Sequence, residues 1–421
     1  MKILVVGSGG REHAIVETLA NSPRVSRIFA APGNGGIREK AEMVPIQAND
    51  IAGLATFAEK TGIDLTVVGP EVPLSLGVVD DFRRKDLPII GPTASDARLE
   101  SSKAFTKRLC SENGIPTAAY TECTTAAEAY AVLDRVGYPT VVKADGLAAG
   151  KGVVVAATAE EAQKAVKQMM ESRVLGEAGT RLVIEDFMEG EEASFHVFAD
   201  GTDFQPMVPS QDHKPRFDGD AGPNTGGMGA YSLDAILTEA QHAEVVERII
   251  RPTLQASGTF SGILYAGLML TQGGPKLVEY NARLGDPETQ VMLPRLETDL
   301  AEVFLAMRDH RLGELELKWK PTATATVVLV ADSYPGKVEK GKEILGLEEV
   351  RRVSDVKVFH AGTRWEDGRV YTAGGRILNV TAIAATLSEA LEKAYFVAEM
   401  IEFEGKDYRN DIGQKGLSKD Q

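Results

Sequence analysis

This chain of 421 residues contains only two cysteines, Cys110 and Cys123, and so lacks a disulfide framework. We therefore expect reduced thiols and a cytoplasmic location. No apolar run approaches the roughly 20 residues of a membrane-spanning helix. Lys2 leads directly into a short apolar strand rather than into a signal peptide. These absences predict a protein without a membrane partner.

Positive charge is also scarce. Lysine and arginine number 46 against 61 aspartates and glutamates, which gives a formal net charge of −15. A surface that binds nucleic acid needs a basic patch, so we expect no nucleic-acid partner. The six histidines show no metal-ligand spacing, and no Ser/His/Asp order indicates a nucleophile. Local anion binding through backbone N–H groups and a few cationic side chains stays open.

Alternating strands and helices are present and predict the fold class. An apolar strand at residues 2–6 and a helix to Leu19 begin an alternation that predicts a parallel α/β domain over residues 1–100. The chain is too long for one core, because domains usually hold about 100–150 residues. The remainder divides into a linker helix region at residues 101–122 and a compact α+β unit at residues 123–190. A body with longer strands follows at residues 191–320, and a small α+β C-terminal domain at residues 321–421.

The segment Leu277–Glu288 carries a dense set of chemically suitable side chains. Its apolar strand places Glu279 and Asn281 on one face, because strand side chains alternate. A carboxylate beside an amide oxygen suits Mg²⁺, which takes one or two protein carboxylates and leaves its other positions to water and phosphates. Arg283 follows on the same face, where its guanidinium suits a carboxylate ligand. A simple surface ion pair at a strand end is the alternative.

Two glycine-rich turns are candidates for phosphate binding. The first, Gly7–His13, opens a helix but departs from a dinucleotide fingerprint, because Glu12 stands at the last glycine position. The second, Lys143–Gly152, is not a Walker loop, since a strand and not a helix follows it. It is typical of a hairpin tip with Lys143 at the end of one strand. A tight turn without ligand and a merely solvated lysine are the alternatives.

Two further segments hold candidate ligand groups. The Glu185–Met188 strand end turns into an acidic bend whose backbone groups suit an adenine edge, and Glu192 suits ribose hydroxyls. Asp212 suits an ammonium group and precedes the glycine-dense run 222–229, which indicates unusual backbone angles or close ligand approach. The neighbouring His213 is more typical of a structural histidine. An ordinary strand–loop–strand connection is the alternative for the acidic bend.

Taken together, these motifs resemble those of ATP-grasp ligases and, more narrowly, of the phosphoribosylamine–glycine ligase family. The resemblance runs from Met1 to Leu417, and the motifs stand in the family's order. They are Gly7–Ala14, Val68–Glu71, Lys143–Gly152, Gln211–Lys214, Pro223–Tyr231 and Glu279–Gln290.

The resemblance implies that residues 123–190 are an ATP-grasp lid and that residues 191–320 are its central body, with ATP between them. It assigns phosphate binding to Lys103 and Lys143. It assigns adenine to the bend that holds Glu185 and Phe187, and ribose to Glu192.

The resemblance also implies the metal and substrate sites. Glu279 and Asn281 match the ligands of Mg²⁺ or Mn²⁺. Asp212 and Arg283 match a glycine pocket that holds the ammonium and the carboxylate, and with Lys143 they are the expected catalytic residues. Phosphoribosylamine is expected against Gly9, Gly10, Arg11, Glu12, Asn34 and Glu71.

The implied activity is the ATP-dependent ligation of glycine to 5-phosphoribosylamine through a glycyl phosphate. Its products are glycinamide ribonucleotide, ADP and phosphate, a step of purine biosynthesis. Water would destroy the acyl phosphate, so we expect the lid to close, with Gly146–Gly152 as its moving tip. We expect a monomer whose partners are its small-molecule substrates.

One departure from the family's pattern keeps alternatives open. Pro215 stands where the family usually has arginine, Arg216 follows, and Phe217 replaces a residue that is often small. A related ligase for a different amino acid or amine is therefore the nearest alternative. An oxidoreductase would need the complete fingerprint and an acidic ribose anchor, and both are absent. A non-catalytic regulator would be expected to lose Lys143, Glu279 or Asn281, and none of them is lost.

Overall fold

The computed structural model describes residues 1–148 and 152–420. The N-terminal strands are β1 (Lys2–Gly7), β2 (Arg27–Pro32), β3 (Glu42–Met43), β4 (Leu65–Val68) and β5 (Ile89–Ile90). They form one parallel sheet in the order β3-β2-β1-β4-β5. The central strands are apolar and buried, as in a parallel sheet covered on both faces. The predicted parallel domain is confirmed.

Four helices accompany this sheet: α1 (Gly10–Leu19), α2 (Ile51–Thr61), α3 (Glu71–Ser75) and α4 (Val78–Arg84). Helices α3 and α4 follow each other closely, with a break between them. Gly77 separates two helices there, because its φ of 84° lies in the left-handed region that glycine tolerates best.

The next part of the chain is the lid with its preceding helices. Its helices are α5 (Arg98–Ser101), α6 (Lys103–Glu112), α7 (Ala126–Leu133) and α8 (Ala159–Val166), and its strands are β6 (Tyr120–Cys123), β7 (Thr140–Ala144), β8 (Val153–Ala156) and β9 (Leu182–Asp186). The four strands form an antiparallel sheet in the order β6-β9-β7-β8. The predicted β7–β8 hairpin is confirmed, and residues 149–151 of its expected tip lie outside the described residues.

The body holds longer strands and a broken run of helix. Its strands are β10 (Glu191–Asp200), β11 (Phe204–Pro206), β12 (Gln211–Asp212), β13 (Pro215–Phe217), β14 (Ala221–Asn224), β15 (Gly229–Ser232), β16 (Ser261–Thr271) and β17 (Gly274–Asn281). Its helices are α9 (Glu239–Val245), α10 (Arg251–Ser257), α11 (Thr289–Met292) and α12 (Leu300–Arg308). A π-helical turn at Val246–Ile250 joins α9 to α10. Strands β11-β10-β16-β17 form an antiparallel sheet.

The C-terminal part shares a sheet with the body. Its strands are β18 (Ala323–Ala331), β19 (Val356–His360), β20 (Thr363–Glu366), β21 (Arg369–Thr372), β22 (Arg376–Ala384) and β23 (Lys406–Asp407), and its helices are α13 (Leu347–Val350), α14 (Leu387–Met400) and α15 (Gln414–Leu417). The sheet order β12-β15-β18-β22-β19 runs from body strands into C-terminal strands. The boundary near residue 320 stays a proposal, and the sheet continues across it.

These parts confirm the predicted fold class, a multidomain mixture of α/β and α+β units. Contacts of Glu12, of Arg283 with Glu71 and of Arg376 with Asp286 bring together the carboxyl ends of β1 and β4, the end of β17 and the start of β22. We call the region between them the cleft. Within the described residues, no helix combines the length and the apolar character that crossing a bilayer requires.

Candidate active site

Two lysines and a glutamate form a buried ion-pair cluster between the lid and α6. The β7–β9 register sets Val141 opposite Glu185, so Lys143 lies on the same face two residues further along. Lys143 Nζ lies 3.0 Å and Lys107 Nζ 2.9 Å from Glu185 Oε2. All three side chains are buried. Sequence reasoning missed Lys107, whose only signal is its place one helical turn after Lys103.

The same cluster contains an unsatisfied acceptor. Glu185 Oε1 is buried and has no hydrogen-bond partner among the described residues. Lys143 Nζ also donates to Val278 O at 3.2 Å, in β17, whereas Lys107 Nζ donates to Thr117 Oγ1 at 2.7 Å. Burial lowers the pKa of Lys107 although the glutamate opposes this shift. A buried acceptor without a donor is unfavourable, so Glu185 fits a ligand N–H group such as the amine of adenine.

Other nucleotide candidates lie around the same space. Lys103 begins α6, and its Nζ donates to Gly146 O at 3.4 Å. Phe187 follows β9 and is exposed. Glu192 lies at the start of β10, with Oε2 3.5 Å from Lys214 Nζ. We call these groups, together with the lysine–glutamate cluster, Asp212 and Glu279, the nucleotide half of the cleft.

Lys214 is the central cation of a second charged group. Its Nζ lies 3.8 Å from Glu279 Oε1, and the surrounding carboxylates raise its pKa although burial opposes them. Burial raises the pKa of Asp212 to about 7, against the effect of Lys214 and with the help of Glu288 and Glu192. Near neutral pH this carboxyl is therefore balanced between its protonated and ionised forms. Lys214 belongs to a predicted motif, but sequence reasoning gave it no role.

The expected metal ligands lie together at the end of β17. Burial alone would raise the pKa of Glu279, but Lys214 and two further lysines lower it, which favours the carboxylate. Asn281 Oδ1 accepts from Arg283 Nη2 at 3.1 Å. The described part of the chain contains no group of three or more acidic, histidine or cysteine side chains suited to a metal ion. Two oxygens completed by phosphates suit Mg²⁺, so the residues fit this ion.

Arg283 is bound by carboxylates from the other side of the cleft. Its Nη2 lies 2.7 Å from Glu100 Oε1, and its Nε lies 3.6 Å from Glu71 Oε2. Nε makes no hydrogen bond with the described residues. Burial raises the pKa of Glu100. At Glu71, the charges of Arg283 and Arg11 and a backbone hydrogen bond together outweigh burial and lower the pKa. The structure thus brings Glu71 to the expected glycine side, and Glu100 is a contact that sequence reasoning missed.

The first glycine turn is folded around the side chain of Glu12. Gly9 N donates to Glu12 Oε2 at 2.5 Å. A Cβ at Gly69 would lie 1.8 Å from Glu12 Oε1, so only glycine fits there. Arg11 Nε donates to Glu12 Oε1 at 2.5 Å, and Arg11 Nη1 donates to Leu284 O at 2.9 Å. The turn is therefore fixed against the body before any ligand binds.

Asn34 has all of its side-chain hydrogen-bonding groups engaged by backbone. Its Nδ2 donates to His360 O at 2.7 Å and to Ser8 O at 3.0 Å. Its Oδ1 accepts from Gly36 N and Ile37 N, both at 3.0 Å. Asn34 thus joins the N-terminal sheet to the C-terminal part and orders the loop after β2.

The amine side of the cleft also receives C-terminal residues that sequence reasoning missed. Arg376 Nη1 donates to Asp286 O at 2.8 Å and lies 3.4 Å from Asp286 Oδ1. Gln290 Nε2 donates to Asp286 Oδ1 at 2.7 Å and to Asn379 Oδ1 at 3.3 Å. The side chain of Gln290 packs against Gly10. We call these residues, with Arg11, Glu12 and Asn34, the amine half of the cleft.

Known protein families match this chain along most of its length. Three family models match, described as phosphoribosylglycinamide synthetase N domain at residues 1–100, ATP-grasp (A) domain at 101–289 and C domain at 324–415. A relative named phosphoribosylamine–glycine ligase from Vibrio vulnificus (strain CMCP6) is 50% identical over 428 residues, 100% of each chain. A relative of the same name from Ralstonia nicotianae is 49% identical and covers 99% of this chain and 100% of its own.

Solved structures agree with these matches. The phosphoribosylamine–glycine ligase of Thermotoga maritima has a TM-score of 0.83 and 32% identity, covering 98% of this chain and 100% of that one. A biotin carboxylase from Campylobacter jejuni shares the fold, with a TM-score of 0.76, 15% identity and coverage of 96% and 92%. The resemblance found in the motifs is confirmed. The chain belongs to the phosphoribosylglycinamide synthetase family.

Proposed function

We propose that this chain ligates glycine to 5-phosphoribosylamine with ATP and releases glycinamide ribonucleotide, ADP and phosphate in purine biosynthesis. Full-length similarity to relatives named phosphoribosylamine–glycine ligase supports it. The observation that carries it is the end of β17, where Glu279 meets the lysines of the nucleotide half and Arg283 meets carboxylates from the N-terminal side.

The first step makes glycine reactive. A carboxylate is a poor electrophile, so transfer of the γ-phosphoryl group to glycine gives a glycyl phosphate with a good leaving group. Lys103 and Lys143 neutralise the negative charge that develops on the phosphates. A Mg²⁺ or Mn²⁺ ion held by Glu279 and Asn281 would supply further positive charge to the same phosphates.

Glycine lies between Asp212 and Arg283 in this account. The ionised carboxyl of Asp212 binds the ammonium group. The guanidinium of Arg283 binds the carboxylate, and its Nε is the N–H group that lacks an acceptor within the described residues. The charged groups then hold glycine by both ends, which favours the attack of its oxygen on phosphorus.

The second step forms the amide. The amine of phosphoribosylamine attacks the carbonyl carbon, the C–N bond forms, and the C–O bond to phosphate breaks. Phosphoribosylamine is expected against the turn before α1, which Glu12 and Asn34 hold in place. Closure of the lid would exclude water from the acyl phosphate.

Two residues of the departure from the family's pattern do not face the glycine pocket. Arg216 is buried, donates from Nε to Tyr334 O at 2.7 Å and pairs with Asp407. Phe217 is exposed, beneath the same guanidinium. Pro215 directly follows Lys214, so the assignment of glycine is supported by the similarity to relatives named phosphoribosylamine–glycine ligase. We also propose a monomer that binds small molecules and no nucleic acid.

The experiment measures ADP release with MgATP, freshly generated phosphoribosylamine and each amino acid in turn. We expect turnover only with glycine, and only when phosphoribosylamine is present. Turnover with another amino acid would keep the ATP-dependent ligase chemistry and refute the assignment of glycine. Absence of ADP with every amino acid would contradict the proposed function.

A further inference from the structure

The short connection between β12 and β13 carries Asp212 and Lys214, and we call it the Asp212–Lys214 turn. The C-terminal segment binds it on the side opposite to these charged side chains. Because side chains alternate along an extended chain, His213 points away from the two charged residues. Its ring is buried, and Nε2 accepts a hydrogen bond from Gly413 N at 3.2 Å. Burial lowers its pKa to about 4, so the imidazole is neutral. The histidine is therefore an anchor of the turn and not a catalytic base.

Arg409 makes the most extensive attachment between the two segments. Its buried guanidinium donates from Nη1 to Pro215 O at 3.1 Å, at the residue directly after Lys214. Nη1 and Nη2 both donate to Asp220 Oδ1 at 3.1 Å. The group also forms a two-pronged pair with Asp411, with both N–O distances at 2.7 Å. One side chain thus joins the C-terminal segment to the start and to the turn of the β13–β14 hairpin.

Neighbouring residues extend the same attachment. Asp411 Oδ2 accepts from Gly219 N at 2.8 Å, and Asn410 N donates to Asp218 Oδ1 at 2.8 Å. The segment 407–413 therefore grips the hairpin tip as well as its first strand. Charge-assisted bonds of this kind fix geometry more firmly than neutral ones.

We propose that Arg409 is a positioning residue for the Asp212–Lys214 turn, because it fixes the backbone from which both charged side chains reach the substrate pocket. The inference rests on the proposed function, which places glycine beside Asp212. Other contacts of the turn do not depend on Arg409, including the bond from Thr225 N to Lys214 O at 2.8 Å. Removal of the guanidinium therefore loosens the turn and leaves the sheet intact.

The partners of Arg409 allow this test without loss of the fold. The side chains of Asp220 and Asp411 are 35% and 26% exposed, so water solvates their charges when the guanidinium is removed. The variant Arg409→Met keeps most of the apolar length of the side chain. We expect it to raise the KM for glycine about tenfold and to change the KM for phosphoribosylamine by less than about twofold.

The conservative variant Arg409→Lys gives a second readout. A lysine keeps the charge but cannot form the two-pronged pair, so it should restore part of the glycine affinity. A glycine KM between those of the wild type and Arg409→Met supports the positioning role. An unchanged glycine KM in both variants would overturn it.

Arg295 offers a matched control. Its side chain is also 1% exposed, pairs with Asp234 at 2.6 Å and donates to Ser232 Oγ at 2.8 Å, but none of its contacts is to the turn. Arg295→Met should lower the Tm by an amount similar to that for Arg409→Met and leave both KM values near those of the wild type. If both variants raise the two KM values equally, the role of Arg409 is merely structural and the inference fails.

A milder variant keeps the test decisive if Arg409→Met does not fold. Asp411→Asn weakens the grip on the guanidinium while it preserves shape, and a rise of a fewfold in the glycine KM is expected. No rise in this variant would contradict the inference. Failure of the proposed function is distinguishable, because wild-type enzyme would then turn over another amino acid, and the same KM comparison would test Arg409 on that substrate.

Discussion

Lys214, in the nucleotide half of the cleft, faces its carboxylates at loose distances, whereas the amine half contains several short hydrogen bonds. Lys214 Nζ lies 3.5 Å and 3.8 Å from its two carboxylates. In the amine half, Asn34 and Gln290 each donate at 2.7 Å. One buried oxygen of Glu185 has no donor among the described residues, and the same holds for Gln290 Oε1 in the amine half. Every polar atom of the Asn34 side chain is engaged.

The difference indicates that the loop held by Asn34 in the amine half is preformed and that the nucleotide half is completed by its ligands. Loosely paired charges around Lys214 and the unsatisfied oxygen of Glu185 favour the binding of ligand groups that supply the missing partners. Substitutions in the nucleotide half should therefore reduce turnover and affect phosphoribosylamine binding little.

The largest expected effect follows loss of the carboxylate at the end of β17. Glu279→Ala should reduce turnover by at least about a thousandfold. The metal ion that would neutralise the transferring phosphates loses a protein ligand in this variant. The Tm should stay near that of the wild type, since the side chain is partly exposed and lies at a strand end. The measurement is kcat over a Mg²⁺ titration, with Glu247→Ala as a control at an exposed ion pair. Near-normal turnover would refute the metal assignment.

A second comparison separates the two lysines on Glu185. Lys143→Met should lower kcat/KM for ATP by about a hundredfold or more, because this lysine is expected to bind phosphate. Lys107→Met should act mainly on the Tm, because the contacts of its Nζ with Thr117 and Glu185, at 2.7 Å and 2.9 Å, are shorter than those of Lys143 with Val278 and Glu185, at 3.2 Å and 3.0 Å. Steady-state kinetics and thermal unfolding of both variants provide the test. Equal losses of turnover would remove the distinction between them.

Arg283→Lys should raise the KM for glycine about tenfold, because an ammonium group cannot make the two-pronged contact with a carboxylate. The KM for phosphoribosylamine should remain near its wild-type value if the two halves act separately. Both constants are measured in the same assay. An unchanged glycine KM would exclude Arg283 from the glycine pocket.

The smallest expected effect is a pH dependence set by Asp212. Its pKa of about 7 means that the carboxyl is increasingly protonated as the pH falls below 7, and a neutral carboxyl binds an ammonium group weakly. The KM for glycine should therefore rise as the pH falls from about 8 to about 6, by at most about tenfold over this range. Asp212→Asn should flatten this profile. A persistent dependence in that variant would refute the assignment of the titration to Asp212.

Much of the fold follows from local patterns. The apolar strand at residues 2–6, the β7–β9 lid and the strand bearing Glu279 were all predictable, because alternation and glycine turns act over short distances. The helix break at Gly77 was missed, because a glycine within a helical pattern does not by itself reveal its φ.

The candidate site was predictable only in part, for a different reason. Lys143, Glu279 and Arg283 stand in recognisable motifs. Arg376 and Arg409 do not. The pairing of β18 with β15, β22 and β23 brings Arg376 to the cleft and Arg409 to the far side of the Asp212–Lys214 turn. Such contacts depend on tertiary packing, for which a single sequence carries no periodic signal.

The central claim is that the nucleotide half activates glycine before the amine half supplies the nucleophile. The most direct test uses glycine labelled with ¹⁸O in both carboxylate oxygens and follows the label by mass spectrometry. The account predicts that each turnover transfers one labelled oxygen to inorganic phosphate and leaves the other in the amide product. Unlabelled phosphate formed alongside the product would contradict a glycyl phosphate intermediate.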